Sequence, residues 1–326
     1  MPAASDSFLY LTGHDVAELL HMDAAIELVE AAWRAEAQGQ AASHPRYRMK
    51  SGGALMHVLG GTLENSGVLG VKTYVTTKDA ATFAVLLFSA KDSRLLAVIE
   101  ADRLGQIRTG AASGVATRHM ARPDANIAAI IGSGWQARAQ LEAIAAVRTL
   151  REARVYSRSA DNRQQFATEM GEKLGLNVKA CDSVEAAVLG AHIISTATSA
   201  KEPVLFGRQI AAGAHINAMG SNAPGRREID GEAVLRAAVI ATDLLEQARV
   251  EAGDLIPLVE AGRLHWDQVV PMAAIVAGKE PGRRSMNDVT IFKSHGVAIE
   301  DLTVAEHVWR EAVALGCGTS LPRTES

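Results

Sequence analysis

The stretch Ile127–Leu141 reads IAAIIGSGWQARAQL. Five small apolar residues run into Gly132-Ser133-Gly134-Trp135-Gln136-Ala137, and an alanine-rich amphipathic run comes next. An apolar strand, a glycine turn and a helix start, in that order, suit a dinucleotide pyrophosphate. Gly132 permits the tight turn, Gly134 lets the backbone approach the phosphates, and Ala137 is small enough for the helix to pack on the strand. The anion then meets the free N–H groups and the positive dipole end of that helix. Gly132, Gly134, Trp135 and Gln136 are therefore candidate cofactor-binding residues.

Downstream of this stretch, strand and helix alternate. Strands are expected at Ala153–Ser157, Asn177–Ala180, His192–Thr196, His215–Met219, Ala238–Thr242 and Asp288–Lys293, with a helix from Asp161 to Gly175 and a short one from Ser183. The pattern predicts an α/β protein with a Rossmann-type doubly wound parallel sheet, right-handed crossovers and a ligand at the carboxyl ends of the strands. The second strand ends in Val155-Tyr156-Ser157-Arg158-Ser159 and carries no acid to bind ribose hydroxyls. Ser157 is compatible with a 2′-phosphate, Arg158 can pair with it and Ser159 can hydrogen-bond to it, so NADP(H) is the preferred cofactor and NAD(H) the alternative.

Upstream, Asp23 can cap a helix carrying Ile26, Val29 and Trp33 on one face and stopping at Gly39. Pro45 biases its neighbours towards extended structure, and period two sets Arg46 and Arg48 on one side of it. Three β-like runs lie at Val68–Thr76, Phe83–Ala90 and Leu95–Ala101, the last two joined by a turn at Lys91-Asp92-Ser93. Lys72 is a lone cation in the first run, where a charge needs a reason. Arg103–Met120 reads as a helix rich in small residues with Arg108 at their head, and Arg122-Pro123-Asp124 breaks it. Thr303 and Glu306 form a capping-box pattern for a last helix that carries Val304, Val308 and Trp309 and closes at Gly316. The expected domains are 1–121, a smaller α+β substrate-binding and dimerisation domain completed by residues 302–326, and 122–301, the dinucleotide-binding domain.

The 326 residues exceed one typical core, which favours two domains. Net charge is -4 and no Lys/Arg cluster stands out, which argues against nucleic acid as a partner. The first ten residues, MPAASDSFLY, lack the basic and apolar regions of a signal peptide, and no apolar run reaches membrane-spanning length; a cytoplasmic protein is expected. Cys181 and Cys317 lack metal-type spacing and read as reduced and structural. No His, Cys and carboxylate constellation suggests a metal site.

Five segments in order, GVKTYV, QIRTGAASGVAT, IGSGWQARAQL, HINAMGSNAPGRREID and IFKSHGVAIEDL, resemble the ornithine cyclodeaminase and mu-crystallin family from about Arg46 to Asp301. The resemblance implies a homodimer whose substrate domain joins a Rossmann domain, with the active site between them and α-amino, α-keto or imino acids as substrates. Arg46, Lys72 and Arg108 match the family's substrate-binding positions, while Thr198, Ile216 to Met219 (Ala218 and Met219 among them), Arg226 and Ser294 fall near its nucleotide contacts. Two positions depart from the pattern. Asn222 stands where cyclising and alanine-forming members carry a catalytic aspartate, and an amide cannot titrate. His295 replaces a small apolar residue of the cyclodeaminases.

Given that resemblance, Arg46 and Arg108 supply fork donors for an α-carboxylate. Partial desolvation would tune Lys72 for proton transfer, with Asn222 holding a water, and His57 and His295 would add donors or a relay. Lys72, Asn222 and His295 are thus the catalytic candidates; Arg46, His57, Lys72 and Arg108 are the substrate-binding ones. The expected activity is reduction of an α-imino acid by NAD(P)H, hydride passing to Cα. Ornithine cyclodeamination with bound NAD is the alternative, and a non-catalytic NADPH- or ligand-binding protein like mu-crystallin is a second.

Overall fold

Seven strands between Ser7 and Glu100 form most of one mixed sheet: β1 (Ser7–Leu11), β2 (Ala41–Ser43), β3 (Tyr47–Ser51), β4 (Ala54–Leu63), β5 (Val68–Thr76), β6 (Ala81–Ser89) and β7 (Leu95–Glu100). The computed structural model describes residues 7–323. The C-terminal strand Thr319–Pro322 pairs with β1, and the order continues β7, β6, β5, β4, β2, with β3 also paired to β4. The wide antiparallel part, β4 to β7, results from β-branched and aromatic residues at period two. One face of β5 carries Val68, Gly70, Lys72, Tyr74 and Thr76. Helix Ala298–Leu315 lies on this face, and it can do so because Gly61 and Gly70 lack side chains. A Cβ at Gly61 would stand 2.9 Å from that of Ala298, and one at Gly70 would stand 2.7 Å from Leu302.

The second sheet is parallel throughout, in the order β10-β9-β8-β11-β12-β15-β13-β14. Its strands are β8 (Ile127–Ile131), β9 (Glu152–Tyr156), β10 (Val178–Ala180), β11 (Ile193–Thr196), β12 (His215–Ala218), β13 (Ala237–Thr242), β14 (Val269–Pro271) and β15 (Val289–Lys293). Every residue of β8, β11, β12 and β15 is buried, as expected of a sheet covered on both faces. Alternation divides β8 between two cores: Ile127, Ala129 and Ile131 join one, Ala128 and Ile130 the other. This is the α/β, doubly wound architecture that the alternating pattern predicts.

The chain forms two compact units, one of the described residues up to Arg108 and from Val297, the other Thr109–Gly296. The division falls inside the continuous helix Asp102–Met120. Two local readings need correction. The second helix, Met22–Ala37, starts after His21, so Asp23 lies in its first turn instead of capping it. The last helix starts at Ala298, with Glu300 bonded back to the Val297 amide, while Thr303 sits inside it and donates to the Leu28 carbonyl. Among the described residues no helix is long and apolar enough to cross a membrane.

Candidate active site

In the Thr109–Gly296 unit the glycine turn comes directly after β8. Gly132 has φ +114°, and a Cβ there would stand 2.4 Å from the Ala197 carbonyl oxygen, so only glycine fits. Gly134 is the N-cap of helix Trp135–Val147; no side chain caps that end, and the space where its Cβ would be is open. Uncapped N–H groups beside an open cradle fit a dinucleotide pyrophosphate. Ala137 is fully buried under the turn, while Trp135 is half exposed.

Ser133 donates to the Ser157 hydroxyl at 2.9 Å, and Ser157 to the Ser159 carbonyl, so the turn and the end of β9 are bonded together. Arg158 is exposed at that end. The Ser159 hydroxyl accepts from the Asn162 amide as the N-cap of helix Ala160–Leu174, which leaves its O–H as the donor for a ligand.

Three buried carboxylates shape the loops at the carboxyl ends of the neighbouring strands. Glu228 Oε1 accepts the amide and hydroxyl of Thr198, both at 2.7 Å; its Oε2 accepts the Thr196 hydroxyl at 2.8 Å and the Gly220 amide at 2.6 Å. Asp254 Oδ1 accepts the amides of Glu228 and Ile229, and its Oδ2 lies 3.0 Å from Lys293 Nζ, which donates to the Ser221 carbonyl at 2.6 Å. The segment carrying Asn222 is thus held on both sides, next to Ala218 and Met219 at the end of β12. Arg226 projects from its exposed part. Asp243 Oδ2 gathers the Ser294 hydroxyl and the amides of His295 and Gly296 at 2.6–2.9 Å. The His295 ring is buried with Nδ1 3.9 Å from the Glu251 carboxylate. These acids went unremarked in the sequence; the signal was there in Asp243, a carboxylate directly after the apolar strand that ends in Thr242.

In the other unit the sequence candidates Lys72 and Arg108 meet on one acceptor. Asp301 Oδ1 accepts from Lys72 Nζ at 2.7 Å and from Arg108 Nε at 2.8 Å, while Arg108 Nη1 donates to Glu300 Oε2 at 2.9 Å. All four are at least nine-tenths buried. The Arg108 fork is therefore partly engaged by the protein itself, leaving Nη2 as the nitrogen not bound by either acid. Gly105, one helical turn before Arg108's own, leaves room for the ammonium: a Cβ there would stand 2.9 Å from Lys72 Nζ.

Burial pulls the Lys72 ammonium down to about 8; Asp301 opposes this, and the charges of Arg108 and Arg46 add to it. Burial also works against the Arg108 charge, but Asp301 and Glu300 outweigh it and hold the guanidinium more firmly protonated than usual. Arg46 is buried near enough to act on both Lys72 and His57.

His57, Tyr74 and Phe83 pair across β4, β5 and β6 and stack, with ring centroids 4.1 Å and 4.9 Å apart. Lys72 Nζ lies 5.8 Å from the Phe83 ring centre. Burial, then the charges of Arg48 and Arg46, push His57 down to about 4. Its Nδ1 accepts from Arg48 Nε at 3.2 Å, so the ring is neutral at physiological pH and its Nε2–H donates to the Thr76 hydroxyl at 3.4 Å. A relay through His57 near neutrality, expected from its ordinary titration range, does not fit this environment. Among the described residues no group of three or more His, Cys, Asp and Glu side chains could hold a metal.

The model of the ornithine cyclodeaminase/mu-crystallin family matches residues 8–315. A structure of Thermococcus litoralis Δ1-pyrroline-2-carboxylate reductase, with NADH and L-proline, superposes with TM-score 0.93 at 35% identity, covering 96% of this chain and 100% of that one. An archaeal alanine dehydrogenase dimer with bound NAD gives TM-score 0.91 at 30% identity, over 97% of this chain and 99% of that one. Mouse ketimine reductase mu-crystallin is 37% identical over 227 residues, 69% of this chain and 68% of its own.

Proposed function

We propose a function from the premise that this chain belongs to the ornithine cyclodeaminase/mu-crystallin family: it is an NAD(P)H-dependent reductase of α-imino acids. One observation carries the reading. A buried ammonium tuned to about 8 stands beside two buried arginines, an arrangement suited to binding a carboxylate and protonating a nitrogen near it.

A bound reduced nicotinamide supplies the hydride. Arg46 and the Nη2 of Arg108 hold the substrate carboxylate by charge-assisted hydrogen bonds. Lys72 donates its proton to the imine nitrogen, which makes the adjacent carbon a better hydride acceptor. His57, neutral and held by Arg48 and Thr76, forms with the stacked rings of Tyr74 and Phe83 a flat wall beside the ammonium on which the substrate rests. Asn222 cannot exchange a proton and orients a water; His295 serves a second polar group of the substrate.

Gly132, Gly134, Trp135 and Gln136 would hold the cofactor, and Thr198, Ala218, Met219, Arg226 and Ser294 would complete its contacts. Ser157, Arg158 and the Ser159 hydroxyl favour a 2′-phosphate, hence NADP(H) over NAD(H). Substrates are pyrroline-2-carboxylate, piperideine-2-carboxylate, or imines of pyruvate or oxaloacetate.

The protein acts as a homodimer. Tyr47, Met49, Met56 and Leu69 all lie on the face of the β3–β5 sheet opposite Lys72 and are 37–61% exposed, an apolar patch suited to a second copy. Cys181 and Cys317 are free thiols, in keeping with a cytoplasmic location.

The test is NADPH and NADH oxidation across a panel of cyclic and linear imino acids, beside proline formation from ornithine. Cofactor oxidation with a cyclic imine is expected. Proline from ornithine with no net cofactor change would establish cyclodeamination instead, against which the missing carboxylate at Asn222 argues. Lys72→Ala should abolish turnover and leave NADPH binding nearly intact; wild-type turnover would remove Lys72 from the mechanism.

A further inference from the structure

Two cations with different tasks share a single oxygen. Lys72 and Arg108 both bond Asp301 Oδ1, and among the described residues Oδ2 accepts no hydrogen bond although it is buried. A carboxylate whose second oxygen is left without a partner is poorly arranged for stability alone, since an unmet buried acceptor costs about 1–3 kcal/mol. Its place is set by the helix seated on Gly61 and Gly70, which brings Asp301 onto the face of β5 that carries Lys72.

We propose that Asp301 is the positioning residue of the active site, locking the proton-donating ammonium of Lys72 and the carboxylate-binding guanidinium of Arg108 into one register. This rests on the roles proposed for Lys72 and Arg108. The groups facing Lys72 are Asp301 on its own helix, Arg108 from the helix behind it, and Arg46 before β3; Glu300 reaches the cluster through Arg108, and His57 lies beside it on β4 as a neutral ring. Of these, Asp301 alone opposes loss of the Lys72 proton. Removing its charge leaves Lys72 among cations.

The experiment is the pH dependence of kcat/KM for Asp301→Asn and Asp301→Glu, with NADPH binding measured in parallel. In the unmutated enzyme kcat/KM falls as pH rises through the Lys72 titration at about 8. Asp301→Asn should move that fall to lower pH by about one to three units and lower kcat/KM at pH 7 by about tenfold or more. Asp301→Glu, charged but longer by a methylene, should bring the profile back while kcat stays reduced. NADPH affinity should not change in either.

An Asp301→Asn enzyme with reduced kcat and an unmoved profile overturns the proposal. If that variant fails to fold, the Glu variant decides: wild-type kcat there overturns it, and reduced kcat on an unmoved profile supports it. An active Lys72→Ala enzyme would instead refute the underlying reading, so the two failures are distinct.

Discussion

Glu228→Gln should loosen two loops at once, and the size of the effect depends on how its hydrogen bonds are divided. Each carboxylate oxygen takes one hydroxyl and one backbone amide: Thr198 on Oε1, Thr196 and Gly220 on Oε2. A glutamine turns one of those oxygens into an NH2. The hydroxyl on that side can rotate and accept; the amide cannot, and is left buried and unpaired. An orphaned buried donor costs about 1–3 kcal/mol, and the bond that survives loses its charge assistance, so the local penalty is about 2–4 kcal/mol. Gly220 has no slack to absorb it, because a Cβ there would already lie 2.3 Å from the Thr198 carbonyl oxygen. Hydrogen exchange reads this directly: protection at Thr198 or Gly220 should fall by about 30- to 1000-fold, with the strands of the sheet less affected. Unchanged protection at both amides would refute the argument, and so would an equal loss across the whole unit.

Three further outcomes can be checked. Gly105→Ala should lower kcat while the protein stays folded, because the new methyl stands 2.9 Å from Lys72 Nζ and displaces the ammonium; unaltered kinetics would show that the lysine has room to move. Arg158→Ala should weaken NADPH more than NADH, and an equal effect on both would free Arg158 from the 2′-phosphate. His215, fully buried against Thr290 and Asn217, is pushed down to about 3 by burial first and the Arg283 charge second. The unfolded chain therefore binds the proton first: stability present above pH 6.5 is lost as pH falls towards 3, by up to about 1.4 kcal/mol per pH unit. Urea unfolding of His215→Asn should show a shallower pH slope in that window, and an identical slope would exclude the residue.

The sequence made the second sheet readable because its signals are local. Apolar runs between glycine and serine punctuation placed β8 to β13 and β15 within a residue or two, Ser183 opens a helix, and Gly175 and Gly316 close theirs, where their chemistry suggests. The strand Thr319–Pro322 carried no such signal, since all four residues are exposed and only pairing with β1 makes them a strand. The sequence pattern sets the last helix six residues late because Thr303 and Glu306 imitate a cap in a helix whose N-cap is Val297. Arg108 and Lys72 drew notice as cations in apolar or small-residue surroundings. Their partner could not, because an acid near the start of a helix already has a reason to be there in the helix dipole. Nothing within the neighbourhood of Asp301 tells of a lysine 229 residues away.

That separation has a consequence for synthesis on the ribosome. The Thr109–Gly296 unit is one uninterrupted stretch and can fold as soon as it is complete. Lys72 and Arg108 are made long before, and they wait through the whole of it without Asp301 and Glu300, which arrive only after residue 299. Until then these two cations have their counter-ions unmade. The chain thus completes its Thr109–Gly296 unit first, and the buried cluster of Lys72 and Arg108 becomes electrostatically tolerable only at the end.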